Sequence, residues 1–312
     1  MVEIVRYSAE HKLAWDGFVR ESKNGTFLLL RDYMEYHADR FADHSLLFYR
    51  KGKLVALFPA NEQEQEVHSH SGLSYGGVIS DSRMKADVML ALFTELIAYY
   101  KALGFYSIFY KAIPHLYHQL PAEEDLYALF RNKALLYRRD ITSVIEPGAA
   151  KTAYGRKRKW HILKANRKNL LLVQSDNFRR FMGIEQKVLE AKYQIKPVHT
   201  ADEMVYLASM FPENIKLFAA YEQEEMLAGI VIYETATVAH CQYMAATTRG
   251  RVVSAMDALV DYLLKQVYPH KKYFSFGIST EQQGHYLNKG LIQNKESYGA
   301  RALVHDFYEL KL

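Results

Sequence analysis

The stretch IKLFAAYEQEEMLAGIVIYE, residues 215–234, consists of two apolar runs on either side of a short polar centre near Gln223. Apolar runs of this length, rich in β-branched and aromatic residues and separated by a short polar turn, predict a β-hairpin. The segment SLLFYRKGKLVALFPA, residues 45–60, has the same form around a Lys-Gly-Lys turn. The chain is therefore expected to contain two similar hairpins, one in each half.

The order of elements around the two hairpins also repeats. Each half shows the pattern of a helix, a hairpin, a strand, a helix, a strand, a helix and a strand. Phe218 stands 170 residues after Phe48, and Phe276 stands 167 residues after Phe109. A nearly constant offset between matched elements indicates an internal duplication.

The duplicated pattern predicts an α/β (α+β) protein, because strand-helix-strand steps form crossovers that place helices against a sheet. We expect two tandem domains, residues 1–148 and 149–312, each a mixed, mostly antiparallel sheet covered by helices. Within them, Val67–Ser80 is expected to be a glycine-rich strand, and Glu281–Ile292 is expected to be a helix.

The composition limits the class of protein. Of 312 residues, 49% are hydrophobic, and the single cysteine, Cys241, excludes a disulfide framework and a cysteine-rich zinc site. The longest apolar runs are shorter than the roughly 20 residues that span a bilayer. The N-terminus lacks the basic start and apolar block of a secretory signal, so a cytoplasmic location is expected. A net charge of +5 does not indicate DNA binding.

The positive charge is concentrated in KTAYGRKRKWHILKANRK, residues 151–168, which has eight Lys or Arg and no acid. One interpretation is a solvated basic helix that opens the second domain. The other is a phosphate-binding patch for a coenzyme, a nucleotide or tRNA, in which Arg158 and Lys164 contact the substrate. The segment alone does not choose between them.

Four segments, in this order, carry a resemblance to a known family. They are NGTF (24–27) followed by RDYMEYHADRF, SGLSYGG (71–77), RKWHILKANRK (158–168) and FGISTEQQGHYLNKGLIQNKESYG (276–299). Together with the repeat, they resemble a tandem GNAT-type acyltransferase of the Fem-like branch, over nearly the whole chain. The resemblance implies transfer of an acyl or aminoacyl group to an amine of a cell-envelope precursor or nucleotide-linked sugar, with the acceptor bound between the two domains.

The resemblance leaves the donor open. GNAT enzymes hold the pyrophosphate of acyl-coenzyme A on a glycine-rich loop, where backbone N–H groups point at the phosphates. The corresponding segment of the first half, residues 79–85, has no glycine, and that of the second half has Gly250 between Arg249 and Arg251. These three residues are the predicted acyl-coenzyme A site. Fem-type proteins lack the loop and use aminoacyl-tRNA, so tRNA is the alternative donor.

Acyl transfer needs a group that accepts the proton of the attacking amine. In the expected helix after residue 280, Glu281 is the first candidate for this base, His285 is the second, and Tyr286 is the candidate acid for the leaving group. On the same helix, Asn288 and Lys289 are expected to bind the acceptor, together with Ser279 at the preceding strand end. A solvated surface helix is the alternative, and Glu281 could also cap the helix start.

In the first half, the candidate substrate-binding residues lie in, or immediately before, two of the segments that carry the resemblance. They are Arg31, Tyr36, His70, Ser74 and Tyr75. On an extended strand, His70 and Ser74 would share one face, and the neighbouring glycines would allow a ligand to lie close. His68 and His70 lack a third ligand at credible spacing, so no metal is expected.

No hydrolase nucleophile elbow, Walker loop or dinucleotide fingerprint is present in the sequence. The hypothesis from another class is a catalytically inactive GNAT pair that only binds a ligand or a protein partner. The oligomeric state stays open.

Overall fold

The computed structural model describes residues 2–148 and 153–312, apart from the side chain of Tyr193. The predicted domain boundary at residues 148 and 149 lies at the edge of this range, and Lys151, the start of the basic segment, lies outside it.

The first part of the chain forms nine strands and four helices. They are β1 (Val2–Arg6), α1 (Lys12–Glu21), α2 (Arg31–Glu35), β2 (Ala42–Asp43), β3 (Leu46–Arg50), β4 (Lys53–Phe58), β5 (Asn61–Gln63), β6 (Glu66–His68), β7 (Ile79–Ser80), α3 (Ala86–Ala102), β8 (Ser107–Lys111), α4 (Glu124–Arg131) and β9 (Leu135–Ile145).

The described residues after position 152 form eight further strands and six helices. They are α5 (Arg156–Asn166), β10 (Leu171–Ser175), α6 (Phe178–Tyr193), α7 (Ala201–Met210), β11 (Ile215–Glu222), β12 (Glu225–Glu234), β13 (Val238–Ala246), α8 (Thr248–Val253), α9 (Ala255–Tyr262), β14 (Tyr273–Ile278), β15 (Thr280–Glu281), β16 (Tyr286–Leu287), α10 (Lys289–Glu296) and β17 (Arg301–Lys311).

These elements belong to two compact units. Unit 1 comprises Met1–Asp140, Glu281–Tyr286 and Val304–Leu312, and unit 2 comprises Ile141–Thr280 and Leu287–Leu303. The sequence predicted one boundary at residue 148, whereas this division returns two C-terminal segments to unit 1.

Unit 1 contains an antiparallel sheet of order β1-β3-β4-β7, and a second set of strands in which β8 pairs with β17, antiparallel, and with β6, parallel. Its core lies between β3, β4, β8 and the apolar face of α3. The large buried side chains there are Phe48, Phe58, Phe93, Tyr100 and Tyr110.

Unit 2 is built on strands of order β10-β11-β12-β13-β14-β9, all antiparallel neighbours except the parallel pair β13 and β14. Its main core packs the inner residues of these strands against α9, with Ile230, Leu259, Leu263 and Phe274 fully buried. A sheet with one parallel step among antiparallel ones, covered by helices, confirms the predicted fold class.

Both hairpins are confirmed. β3 and β4 pair around Lys51 and Gly52, and β11 pairs with β12 around Gln223, which has a positive φ of 55°. Gly104 closes α3 with φ of 85°, as expected for a residue just after a helix.

Two element predictions were wrong. Residues 69–78 are irregular rather than a strand, since only β6 and β7 at the two ends are extended and His70 has φ of 60°. Residues 280–287 form the short β15–β16 hairpin, with its turn at residues 282–285, and the helix begins only at Lys289. Gln282, Gln283 and Gly284 have φ of 50°, 55° and 90°, a left-handed run that a helix cannot contain.

Candidate functional site

A cavity of about 590 Å³ in unit 2 lies between α5, the junction of α8 and α9, and α10. Its lining residues are Lys157, Arg158, His161, Gly250, Arg251, Ser254, Met256, Asp257, Gly290, Gln293, Asn294, Ser297 and Tyr298. Four of these side chains carry or can take up a positive charge, and one is an acid. The cavity is therefore suited to an anionic ligand.

Arg158 holds the three walls of this cavity together. Its guanidinium forms an ion pair with Asp257 on α9 and donates to Ser297 Oγ, 2.7 Å from Nη2, and to Tyr298 Oη, 2.9 Å from Nη1. It also stacks over the Tyr298 ring, 3.7 Å from the centroid. Arg158, a predicted substrate-binding residue, lines the cavity, and its guanidinium also links α5 to α9 and to the residues after α10.

The other three basic side chains of the cavity make fewer contacts within the protein than Arg158 does. His161 Nδ1 lies 3.0 Å from Ser254 Oγ, and Arg251 Nη2 donates to Thr248 Oγ1 at 3.3 Å. Lys157 is exposed on α5. Because Arg158 already neutralises Asp257, Lys157 and Arg251 leave the cavity with an excess of positive charge.

The structure separates the three residues of the predicted coenzyme site. Gly250 and Arg251 line the cavity, whereas Arg249 forms a two-bond ion pair with Glu222, with Nη2–Oε1 and Nε–Oε2 distances of 2.8 and 2.9 Å. Gly250 is needed for packing, since a Cβ there would lie 2.2 Å from the Leu227 carbonyl oxygen. Its N–H is capped by Thr247 Oγ1 at 3.0 Å. The segment thus differs from a glycine-rich pyrophosphate loop.

The parallel strands β13 and β14 of unit 2 pair at three positions, the last being His240 with Ser275. Among the described residues no further pair joins them, although β13 continues to Ala246. Gly277, near the end of β14, has φ of 73°. The two strands therefore part after this pair, while β14 stays paired with β9 as far as Ile278.

Lys295 on α10 binds two backbone carbonyls at the end of β14. Its side chain is nearly buried, the residue being 7% exposed, and Nζ donates to Gly277 O at 2.9 Å and Ile278 O at 2.6 Å. Burial lowers the pKa of Lys295 to about 8. Within the described residues no carboxylate pairs with Lys295, which is uncommon for a buried ammonium and makes it a candidate functional group. The sequence analysis missed this residue, and the only signal was its position one turn after Ile292 on the inward face of α10.

Two buried hydroxyls lie beside the same strand end. One belongs to Ser279, the residue after Ile278, and the other to Thr142, the residue of β9 that pairs with Ile278. Neither Ser279 Oγ nor Thr142 Oγ1 has a hydrogen-bond partner among the described residues. Buried hydroxyls are normally satisfied. Ser279, a predicted substrate-binding residue, thus lies next to the carbonyls that Lys295 holds.

The predicted catalytic residues do not share one helical face, which corrects the sequence interpretation. Glu281, His285 and Tyr286 are exposed on the β15–β16 hairpin. Asn288 caps α10, accepting a hydrogen bond from Leu291 N at 3.0 Å, and Lys289 is the exposed first residue of that helix. None of the five lines the cavity of unit 2 described above.

The predicted binding residues of unit 1 are mostly used in its own packing. Arg31 is buried, forms ion pairs with Glu35 and Asp43, and stacks on Tyr7 at 3.6 Å from the ring centroid. Tyr36 stacks on the His37 ring at 4.1 Å. This network supports a structural role for Arg31.

The loop of residues 69–78 in unit 1 holds the other three. His70 is buried, Ser74 is exposed, and Tyr75 is buried with its hydroxyl 2.9 Å from Thr26 Oγ1. Since the loop is not a strand, His70 and Ser74 do not alternate on one face. Lys111 lies against this loop, and its Nζ donates hydrogen bonds to three of the loop's backbone carbonyls.

Lys164, the last predicted binding residue, lies outside the cavity, with Nζ 5.4 Å from the Trp160 ring centroid on the outer side of α5. Within the described residues, no group of three or more His, Cys, Asp or Glu is arranged to hold a metal ion. No helix among them is long and apolar enough to cross a membrane.

No family model and no curated protein matches the sequence. Solved structures match its fold. FemX aligns with a TM-score of 0.69 at 11% identity, covering 99% of this chain and 97% of that one. The C-terminal domain of a putative lysylphosphatidylglycerol synthetase from Agrobacterium fabrum gives 0.63 at 12% identity, covering 97% and 92%.

A tandem GNAT protein from the clavulanic acid biosynthesis pathway also aligns, with a TM-score of 0.50 at 10% identity, covering 100% of this chain and 98% of that one. At these identities the likeness concerns the fold. Each alignment extends over nearly the whole length of both chains. This chain has a Fem-like tandem GNAT-type fold.

Proposed function

We propose that this chain transfers an acyl or aminoacyl group from a phosphate-bearing donor to an amine, and that unit 2 carries the chemistry. The observation that supports this most is the presence, in one unit, of a cationic cavity and of a buried lysine ammonium where two parallel strands part. The fold is shared with acyl and aminoacyl transferases, but fold alone does not assign an activity.

Lys157, His161 and Arg251 are the residues that would hold the donor's phosphates. Their side chains face one cavity, and the neighbouring acid, Asp257, is neutralised by Arg158. When bound, the donor supplies an activated acyl group. This set of cations fits phosphates without the backbone N–H groups of a glycine-rich loop.

Lys295 is the residue that would stabilise the negative charge that develops on the acyl oxygen during transfer. An ammonium has three N–H donors, and the carbonyls of Gly277 and Ile278 take two of them. The third can donate to the acyl oxygen. Held in place before the reaction, such a donor lowers the barrier because it needs no reorganisation.

Of the two candidate donors, we favour aminoacyl-tRNA. Arg249, which a pyrophosphate site would need, is bound to Glu222, and Gly250 is required for packing against β12. The resemblance to the Fem-like branch, whose donor is aminoacyl-tRNA, supports the same choice. Acyl-coenzyme A is the second candidate, favoured by Gly250 and Arg251 at the cavity wall. The acceptor remains an amine of a cell-envelope precursor or nucleotide-linked sugar.

The test compares binding of alanyl-tRNA and acetyl-coenzyme A to the native chain and to two double variants. Lys157→Gln with Arg251→Gln removes two cations from the cavity of unit 2. The matched control, Lys53→Gln with Arg83→Gln, removes two exposed cations from a smaller cavity of about 330 Å³ in unit 1. Product formation on a panel of amines is followed by mass spectrometry.

We expect one donor to bind, with affinity at least tenfold lower in the unit 2 variant and unchanged in the control. Its affinity should also fall with added salt, since phosphate contacts release counterions. Binding that depends on the unit 1 pair would contradict the proposal. Binding without transfer to any amine would support the inactive, ligand-binding alternative instead.

A further inference from the structure

We propose that the outer face of α5 docks on a membrane surface that carries anionic phospholipids. The inner face of α5 packs on unit 2 through Ile162 and Ala165, which are 6% and 1% exposed. The opposite face has no protein covering it among the described residues. The proposal concerns this outer face and does not depend on the donor.

Two large apolar side chains stand at the centre of the outer face. Trp160 is 58% exposed and Leu163 is 59% exposed. They are three residues apart, so they lie side by side on the helix surface. A single exposed apolar residue needs no explanation, whereas an adjacent tryptophan and leucine on an otherwise charged helix mark a contact surface.

Cations surround this apolar pair. Arg156, Lys159 and Arg167 are exposed on the same side, and the Lys164 ammonium lies 5.4 Å from the Trp160 ring centroid. The sequence from Pro147 to Ser175 contains no acidic residue. Nothing acidic within the helix or its flanks therefore offsets the attraction of this face for an anionic surface.

The combination fits a lipid surface better than RNA. Both would be attracted by the cations, and a nucleobase could stack on Trp160. Leu163, however, gains nothing from a phosphate backbone, while it gains apolar burial when it enters the acyl-chain boundary. Tryptophan favours the membrane interface, and lysine and arginine there pair with lipid phosphates while their alkyl stems remain apolar.

The fluorescence of Trp160 can report on contact between α5 and a membrane. Of its two tryptophans, Trp15 is 0% exposed and donates to Leu29 O at 2.8 Å. Only Trp160 is exposed, so a change in tryptophan emission on adding vesicles reports on α5. The vesicles contain either phosphatidylcholine alone or phosphatidylcholine and phosphatidylglycerol in equal amounts, and co-sedimentation measures the affinity.

We expect binding to the anionic vesicles and not to the neutral ones, with a blue shift of the Trp160 emission. Leu163→Ser should weaken binding at least tenfold, whereas Leu13→Ser, at an exposed leucine of α1, should have no effect. Arg156→Gln with Lys159→Gln should weaken it about 25-fold, since each cation near an anionic surface contributes about fivefold. Lys51→Gln with Lys53→Gln is the charge-matched control.

The proposal is overturned if the native protein binds neither kind of vesicle, or if it co-sediments with vesicles without a shift in Trp160 emission. It is equally overturned if the Leu163→Ser variant binds anionic vesicles as tightly as the native chain. It is also overturned if vesicles have no effect and an RNA hairpin shifts the Trp160 emission instead. In that case RNA binding would depend on Arg156 and Lys159 but not on Leu163. All six substitutions in these four variants are at exposed positions, so a thermal melt should confirm native folding.

Discussion

In each unit, the ammonium group of a lysine binds backbone carbonyls with no carboxylate partner among the described residues: the partly buried Lys111 in unit 1 and the buried Lys295 in unit 2. In unit 1, Lys111 Nζ donates to the carbonyls of His70, Ser71 and Leu73, at 3.1, 3.1 and 2.8 Å. In unit 2, Lys295 Nζ donates to two carbonyls at the end of β14. Burial lowers the pKa of both ammonium groups to about 8.

The two lysines differ in the number of ammonium N–H groups that have no carbonyl acceptor. Three carbonyls use all three N–H groups of Lys111, so the ammonium completes a closed loop and has a structural role. Two carbonyls leave one N–H of Lys295, and the hydroxyls of Ser279 and Thr142 nearby have no partner within the described chain. This difference supports the proposed chemical role of Lys295 and a structural role of Lys111.

The largest expected effect is on activity. Lys295→Met should lower the rate of acyl transfer about 100- to 1,000-fold, the usual result of removing one donor to a developing oxyanion. The free energy of unfolding should change by less than about 2 kcal/mol, because the cost of burying the ammonium disappears along with its two hydrogen bonds. Single-turnover rates and urea denaturation measure the two quantities. Full activity of the Lys295→Met variant would contradict a chemical role for Lys295.

The second effect is on stability. Lys111→Met should lower the free energy of unfolding by about 2–4 kcal/mol, since it leaves three carbonyls of the 69–78 loop without a donor. Turnover per folded molecule should stay within about twofold of the native chain. Lys101→Met, at an exposed lysine of α3, is the control and should leave stability unchanged. A variant of Lys111 that is stable but inactive would place chemistry in unit 1.

The smallest effect is expected at the hairpin that the sequence analysis selected. Glu281→Gln, which keeps the size of the side chain, should change the transfer rate less than about threefold, because an exposed carboxylate in water is a weak and replaceable base. His285→Ala and Tyr286→Phe should behave in the same way. A loss of more than about 100-fold in Glu281→Gln, with an unchanged melting temperature, would restore Glu281 as the base and move the site to the hairpin.

The fold was predictable because hydrophobic period and duplication are local and repeated signals. The β3–β4 and β11–β12 hairpins are where their apolar patterns place them. The two failures, at residues 69–78 and 281–288, occur where glycines and left-handed polar residues set the backbone. There, close approaches decide the path: a Cβ on Gly76 would lie 2.0 Å from Ser69 O, and one on Gly284 would lie 2.3 Å from Arg139 O. No periodic pattern contains this information.

The candidate site was less predictable because tertiary contacts define it. Arg158 was found as one of many cations, but only the structure shows its charge committed to Asp257 and Tyr298. Lys295 is one lysine in a helix that also contains Lys289. Its importance depends on β14 parting from β13 after Ser275, which a sequence does not reveal.

The most direct test of the account is the pH dependence of the single-turnover transfer rate. The Lys295 pKa is lowered to about 8, so its ammonium is present below that pH and is lost above it, well before an ordinary lysine. The native rate should therefore fall about tenfold per pH unit above pH 8. Lys295→Arg, which stays charged, should retain part of the activity and lose this descending limb. A native rate that continues to rise above pH 8, as the acceptor amine deprotonates, would contradict the role of Lys295.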